Sequence, residues 1–256
     1  MRKIGITTSK GGTGKTTTAI NLGHGLALCG QKVLVIDCDA QRNIAVTFDV
    51  RGKKTLCDLL QNGEVEIIQV RKNLYVVDSG GRDLAETEMM LAAKKNRESR
   101  LSRALENLKG CDVVICDCSP TINLININAL AYVDEVIIPV SMDYLAQEGA
   151  RQTLEIIEEI NQYSSNGTQV LGILPTFYDA RTKLSKEVLE TLRKHFADTV
   201  FQTVIRINTS LREAPSFNRT IFEYSPLSRG AFDYYQLTEE LLNSEQSQAI
   251  SGERRI

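Results

Sequence analysis

The chain has 256 residues, 42% apolar and 24% charged, with a net charge of −2. That length suffices for one large α/β domain that buries its own core, so no disulfide or metal staple is needed. The composition excludes a polycation. No run of 18 apolar residues exists to cross a membrane, and the apolar run after Met1–Lys3 is too short for a signal peptide.

Short β-branched runs alternate with helix-length amphipathic stretches. The first run, Lys3–Thr8, leads straight into Ser9-Lys10-Gly11-Gly12-Thr13-Gly14-Lys15-Thr16-Thr17. A helical pattern follows, with Ala19, Ile20, Gly23, Leu26 and Ala27 at packing positions. Strand, glycine loop and helix together are the context that a phosphate-binding loop needs. Glycines let backbone N–H groups curl around phosphate oxygens, and the helix start adds the positive end of its dipole. Lys15 is placed to reach β- and γ-phosphates, and the Thr16 hydroxyl to ligate Mg²⁺. One position departs from the G-x-x-x-x-G-K-[ST] pattern. Ser9 stands where its first glycine belongs, and a second lysine, Lys10, follows.

The second strand, Val33–Asp37, runs into Cys38-Asp39-Ala40-Gln41. Leu74–Asp78 is the third. Asp112–Asp117 is the fourth, continuing as Cys118-Ser119-Pro120, and Glu135–Val140 and Val170–Pro175 complete the set. Several of these runs are apolar nearly throughout, as strands covered on both faces are. Ile156, Ile157 and Ile160 make one helical stripe, and Val188, Leu189, Leu192 and Phe196 another. The alternation predicts an α/β fold: a mainly parallel twisted sheet with helices on both faces. One domain is expected over residues 1–243, followed by a polar tail, 244–256, that frays. The six cysteines show no metal-finger spacing. Cys116 and Cys118, on one face of a strand, read as small buried groups in a reducing compartment.

Lys10-Gly11-Gly12-Thr13-Gly14-Lys15-Thr16 resembles the deviant Walker A motif of the ParA/MinD ATPases. Asp37-Cys38-Asp39-Ala40-Gln41 is similar to that family's D-x-D-P-Q segment, with Ala40 for the proline. Asp117-Cys118-Ser119-Pro120 is similar to its D-x-P-P, with Ser119 for the first proline. Asn128-Ala129-Leu130, Glu213-Ala214-Pro215-Ser216 and Ser228-Arg229-Gly230-Ala231 extend the resemblance, to the ParA/Soj branch, over most of the chain. The resemblance implies a P-loop ATPase that uses ATP and Mg²⁺. It implies that Lys10, Lys15 and Asp39 act in hydrolysis, with Asp39 positioning the attacking water. Lys10, Gly11, Gly12, Thr13, Gly14, Lys15, Thr16, Thr17 and Gln41 would hold the nucleotide, and Thr16, Asp39 and Asp117 the metal. Asp37 would support the metal shell or its own loop. Thr176 and Pro215 are placed near the adenine, although each reads equally as an ordinary turn or loop residue. Lys10 is implied to reach the phosphates of a twin subunit in an ATP-dependent homodimer.

Between Arg181 and Arg219, eight Lys and Arg stand against four Asp and Glu, a local charge of +4. A solvated face accounts for such a count by itself. The resemblance turns it into a site for non-specific double-stranded DNA, with Arg181, Lys183, Lys186, Arg206, Arg212 and Arg219 as candidate contacts. The arginine that the family carries in an Asn-Val-Arg-Leu stretch is Ser210 here. The implied function is a cytoplasmic, nucleoid-associated partition ATPase. It would segregate or position a cargo (plasmid, chromosome or a protein organelle such as a carboxysome), stimulated by a ParB-like or cargo-adaptor protein. A MinD-like membrane-positioning ATPase is the alternative. The tail Glu245–Gly252 lacks the basic amphipathic face that such proteins lay on lipid, so no membrane partner is expected. No cysteine pattern supports an iron–sulfur relative, and no substrate pocket is legible for an amide-forming one.

Overall fold

The computed structural model describes residues 1–163 and 167–253. Seven strands, β1 (Arg2–Ile6), β2 (Val33–Cys38), β3 (Ile68–Arg71), β4 (Leu74–Val77), β5 (Val113–Cys118), β6 (Glu135–Ser141) and β7 (Gln169–Thr176), form one sheet. Their spatial order is β3-β4-β2-β5-β1-β6-β7. All neighbours run parallel except β3, which pairs antiparallel with β4. Six of the strands are the runs expected from sequence. The seventh, β3, was not foreseen. It is a four-residue edge strand, mostly half-buried, that turns into β4 through Lys72 and Asn73, with Asn73 at φ 60°. At the other edge, the segment 200–206 runs along β7. Phe201 N–H donates to the Ile173 carbonyl (3.0 Å) and Ile205 N–H to the Pro175 carbonyl (2.8 Å).

The helices are α1 (Lys15–Leu28), α2 (Asn43–Thr47), α3 (Leu56–Asn62), α4 (Asp83–Ala92), α5 (Arg100–Ala104) and α6 (Leu124–Tyr132). They continue as α7 (Ala146–Tyr163), α8 (Lys183–Phe196), α9 (Thr209–Glu213), α10 (Ile221–Tyr224) and α11 (Arg229–Glu253). They divide between the sheet's faces, as the doubly apolar strands require. Leu59, Leu84, Leu101, Ile125, Ala150 and Leu192, from α3 through α8, share one core with Leu34, Ile36 and Val114. On the other face Ile20, Leu22 and Leu26 of α1 meet Tyr234, Leu237 and Leu241 of α11, over Ile4, Val35 and Ile115.

Helix α11 runs through most of the segment expected to fray, as far as Glu253. Its first turns are anchored against α1, and a nucleated helix propagates readily through residues such as Glu245, Gln246 and Ala249. The last three residues of that expected tail, 254–256, lie outside the described residues.

Helix α1 lies between the sheet and α11, and 11 of its 14 residues are buried. Two glycines make room for it. A Cβ on Gly23 would stand 3.0 Å from Val35 Cγ2 of the sheet, and one on Gly25 would stand 2.3 Å from Thr238 Oγ1 of α11. Gly25→Ala is therefore expected to destabilise the fold by about 1–3 kcal/mol through overpacking. The measurement is a denaturant midpoint, and adding Thr238→Ala in the same chain recovers most of the loss.

Candidate functional site

Strands β2, β5 and β1 lie side by side and end at the same edge. In register, Asp37 stands opposite Asp117, and Asp117 opposite Ile6. The chain leaves β1 toward β2 on one side and later returns to place β6 on the other. A parallel sheet opens a ligand crevice at such a reversal, outside the carboxyl ends of its strands. The loop of residues 7–14, between β1 and α1, lies in that crevice.

Glycines shape the loop where the backbone demands them: Gly12 has φ 72° and Gly14 φ 94°, values that cost other residues strain. Gly11 and Gly12 have nothing within 4 Å of a would-be Cβ, so the loop's rim is open. The rest of the loop is tied down. Ser9 N–H donates to Thr153 Oγ1 of α7 (3.2 Å), and the Thr176 hydroxyl at the end of β7 donates to the Thr13 carbonyl (2.8 Å). Lys15 opens α1 and is buried, with its Nζ donating to the Lys10 carbonyl (3.2 Å). Burial lowers its pKa, against the pull of Asp117, Cys118 and Asp39. The chemistry is that of a cation held ready for an anion. Lys10 turns the other way, with its Nζ 2.6 Å from Asp143 Oδ2, just past β6. Asp143 also accepts from the Ser141 hydroxyl and from Leu145 N–H (3.0 Å). Burial pushes its carboxyl up, but these partners, Lys10 foremost, bring it below the ordinary value.

The carboxylates sit in graded surroundings. Asp37 is fully buried and accepts from Asp39 N–H (3.0 Å) and Ile44 N–H (3.2 Å). Burial, then the neighbouring Asp117, holds its carboxyl well above the usual range. Its bonds are those of a residue that shapes the turn after β2. Asp39 is half-buried, and one of its oxygens accepts from Gln41 N–H (2.9 Å). Gln41 itself is exposed. Both Asp117 oxygens are buried without a hydrogen-bond partner of good geometry. Burial raises its carboxyl to about 7, while the nearby Thr16 hydroxyl and Lys15 pull it down. A buried carboxylate beside a threonine hydroxyl suits Mg²⁺, which takes few protein oxygens and completes its shell with phosphate and water. No cluster of three or more His, Cys, Asp or Glu arranged for a metal exists among the described residues.

Beside the loop opens a cavity of about 330 Å³, lined by Gly14, Thr17, Thr176, Asn208, Pro215 and Tyr234, among others. Thr176 and Pro215, which the sequence left open between base contact and plain loop, both stand on its wall. Asn208 does too, and its Oδ1 is buried and unpaired. It is an acceptor suited to the exocyclic amine of a purine, and sequence reasoning missed it. A lone asparagine carries no local signal, because its significance comes only from the wall it shares with Gly14, 194 positions earlier.

The basic segment does not form one stripe. Arg181, Lys183 and Lys186 are exposed at the start of α8, and Arg212 and Arg219 are exposed farther on. Arg206, a candidate phosphate contact, is already paired. Its guanidinium grips Asp233, which is almost fully buried, and its N–H donates to the same carboxylate (2.9 Å). The arginine side chain itself is 33% exposed, so Asp233 holds it without removing it from solvent. Arg206 and Arg212 also line the cavity.

Comparison with known proteins agrees with this geometry. A family model described as an AAA domain matches residues 1–170. The chain is 39% identical over 247 residues to the sporulation initiation inhibitor protein Soj of Bacillus subtilis, covering 93% of this chain and 97% of that one. It is 38% identical over 242 residues to the chromosome-partitioning ATPase Soj of Thermus thermophilus, covering 94% and 96%. Among solved structures, it is similar to the cobyrinic acid a,c-diamide synthase of Mycobacterium smegmatis with bound ATP analog and magnesium. The TM-score is 0.83 at 29% identity, covering 97% of each chain.

The raised carboxyl of Asp117 has a consequence for stability. Between about pH 4 and 7 the folded chain keeps a proton that the unfolded chain has lost, so stability falls as pH rises through that window. Without nucleotide or Mg²⁺, Asp117→Asn is expected to be more stable than the parent at pH 8, by about 1–3 kcal/mol, and nearly equal to it at pH 4. Urea melts in a chelator at the two pH values measure this. The same change should abolish the extra protection that Mg²⁺ adds to nucleotide binding.

Proposed function

The chain belongs to the ParA/Soj family of partitioning ATPases, and on that footing we propose that it is a nucleotide-gated DNA-binding switch. It is an ATPase, acting on ATP with Mg²⁺. In the proposed cycle, ATP joins two copies, and the pair binds double-stranded DNA without sequence preference. Hydrolysis, stimulated by a ParB-like or cargo-adaptor partner, releases it. Repeated release would move or space a cargo such as a plasmid, a chromosome or a protein organelle.

The chemistry needs little covalent participation from the protein. Phosphoryl transfer is accelerated by alignment and by neutralising charge that builds on the phosphate oxygens. Backbone N–H groups of the loop and Lys15 would carry that charge, and Thr17, Thr176, Asn208 and Pro215 would orient the nucleoside. Asp39, with one oxygen engaged by Gln41 N–H, would hold the attacking water on the other. Thr16 and Asp117 would hold Mg²⁺, which would supply charge neutralisation to the phosphates.

The observation that carries the dimer is the Lys10–Asp143 pair. Its two side chains are 34% and 43% exposed, and a pair so open to water is worth at most about 1 kcal/mol. Lys10 can therefore leave Asp143 at small cost for a partner's phosphates, while Ser141 and Leu145 N–H still satisfy Asp143. Exposed Tyr144 and Leu145 adjoin that pair, and exposed Ile122 lines a cleft with Thr8 and Ser9 at the foot of the loop. They give this rim apolar surface that a second copy would cover. For DNA, Arg181, Lys183 and Lys186 offer exposed cations at the start of α8. The first two form ion pairs with Asp179 and Glu187 in which the cation is 87% and 89% exposed, pairs that phosphate can displace.

Two measurements test the cycle. In light scattering, the parent protein becomes a dimer with ATP but not with ADP. Lys10→Ala still binds nucleotide yet stays a monomer; a variant that dimerises like the parent refutes the proposed role. In a salt titration, DNA affinity is higher with ATP than with ADP. The change Lys183→Ala with Lys186→Ala then flattens the log–log slope by about 1–2. Equal affinity in both nucleotide states refutes the switch.

A further inference from the structure

Just beyond Asp39 the chain makes a turn that ordinary backbone does not favour. Arg42 has φ 56°, in the left-handed region, and caps the start of α2. Its N–H donates to the Asp39 carbonyl (3.1 Å), and its own carbonyl accepts from Val46 N–H (2.9 Å). A non-glycine residue persists in this conformation only where its surroundings hold it there.

The side chain supplies that hold. Arg42 grips Asp78 with two prongs, Nε to Oδ1 (2.8 Å) and Nη2 to Oδ2 (2.5 Å). Asp78 follows β4 at the level of Asp37, because Val77 pairs with Ile36. It is 1% exposed and also accepts from Gly52 N–H and Gly80 N–H (3.1 Å each). Its position is therefore fixed by backbone on two sides. The loop behind it is shaped around the arginine. Gly81 has φ 67°, and a Cβ there would stand 2.5 Å from Arg42 Cδ. The segment 37–44 is thus tied at both ends. Asp37 holds Asp39 N–H and Ile44 N–H, and Arg42 anchors the outer turn to the next strand.

We infer that the Arg42–Asp78 pair is a positioning device that fixes the turn carrying Asp39, so that Arg42 governs the rate of hydrolysis without contacting nucleotide. The inference rests on the proposed role of Asp39. Two parallel charge-assisted bonds set both distance and direction, which a single ammonium cannot do. Loss of the grip leaves the Asp39 carboxylate attached but misaimed, and small misplacements cost rate far more than binding.

The test compares Arg42→Gly with Arg42→Lys. Glycine keeps the left-handed turn and removes only the grip, while lysine keeps the charge and guards against a fold lost through an unpaired Asp78. For each folded variant, kcat, KM for ATP and the Kd of a fluorescent ATP analogue are measured. Hydrogen exchange of amides 41–46 is followed without nucleotide. Expected are a kcat lower by roughly 10- to 100-fold for glycine, a smaller loss for lysine, KM and Kd within about threefold, and faster exchange confined to 41–46. An unchanged kcat in Arg42→Gly overturns the inference. So does a loss of nucleotide affinity that matches the loss of rate, or exchange that rises equally in α11. Asp39→Ala run in parallel separates the two readings. If it turns over like the parent, the role of Asp39 fails; if it is inactive while Arg42→Gly is not, only the positioning role fails.

Discussion

Asp117 lies at the end of a central strand with both carboxylate oxygens buried and unpaired, and Asp37 is one strand away. An ionised group in such a place costs several kcal/mol unless a cation meets it. The surroundings answer that cost in part, with Lys15 on one side and the Thr16 hydroxyl on the other. In the proposed cycle, Mg²⁺ arriving with the substrate would meet the remainder. The first turn of α1 is itself held in place, by Thr18 against Tyr234 of α11 (3.1 Å). A site that withholds part of its own neutralisation needs a frame that cannot collapse to supply it.

The sheet and the loop were legible because their signals are local. β-branched runs that are apolar on both faces mark buried parallel strands, and Gly-Gly-Thr-Gly-Lys-Thr after such a run marks the phosphate loop. Strand β3 was not legible. Four residues at a partly exposed edge carry no periodicity that separates them from a loop, and only the pairing with β4 makes them a strand. The helical course of residues 244–253 was hidden too, since composition reports polarity and not what α1 offers to the preceding turns.

The site divided along the same line. Lys15 and Thr16 follow from the loop's spacing, Asp39 and Asp117 from the family resemblance, and the four lie together. Pairings between distant residues did not show. Lys10 meets Asp143 from 133 positions away, Arg42 meets Asp78 from 36, and Arg206 meets Asp233 from 27. A charge count over 181–219 treats every cation as free. The fold assigns Arg206 to a buried carboxylate and leaves Arg181, Lys183 and Lys186 in water. Composition measures how much charge a segment has, and tertiary pairing decides how much of it another molecule can meet.

Neither flank of the sheet offers a long, clean strand edge. On one side β3 doubles back beside β4 with a register shift, and Arg71 at its end bonds to Glu223 of α10. On the other, the 200–206 stretch donates to two outward carbonyls of β7, those of Ile173 and Pro175. An open flank would let molecules join by backbone zippering at any time, regardless of what fills the crevice. With little free strand edge to offer, backbone zippering is a poor route for two copies to meet, and the proposed pairing at the loop rim would leave association under the nucleotide's control.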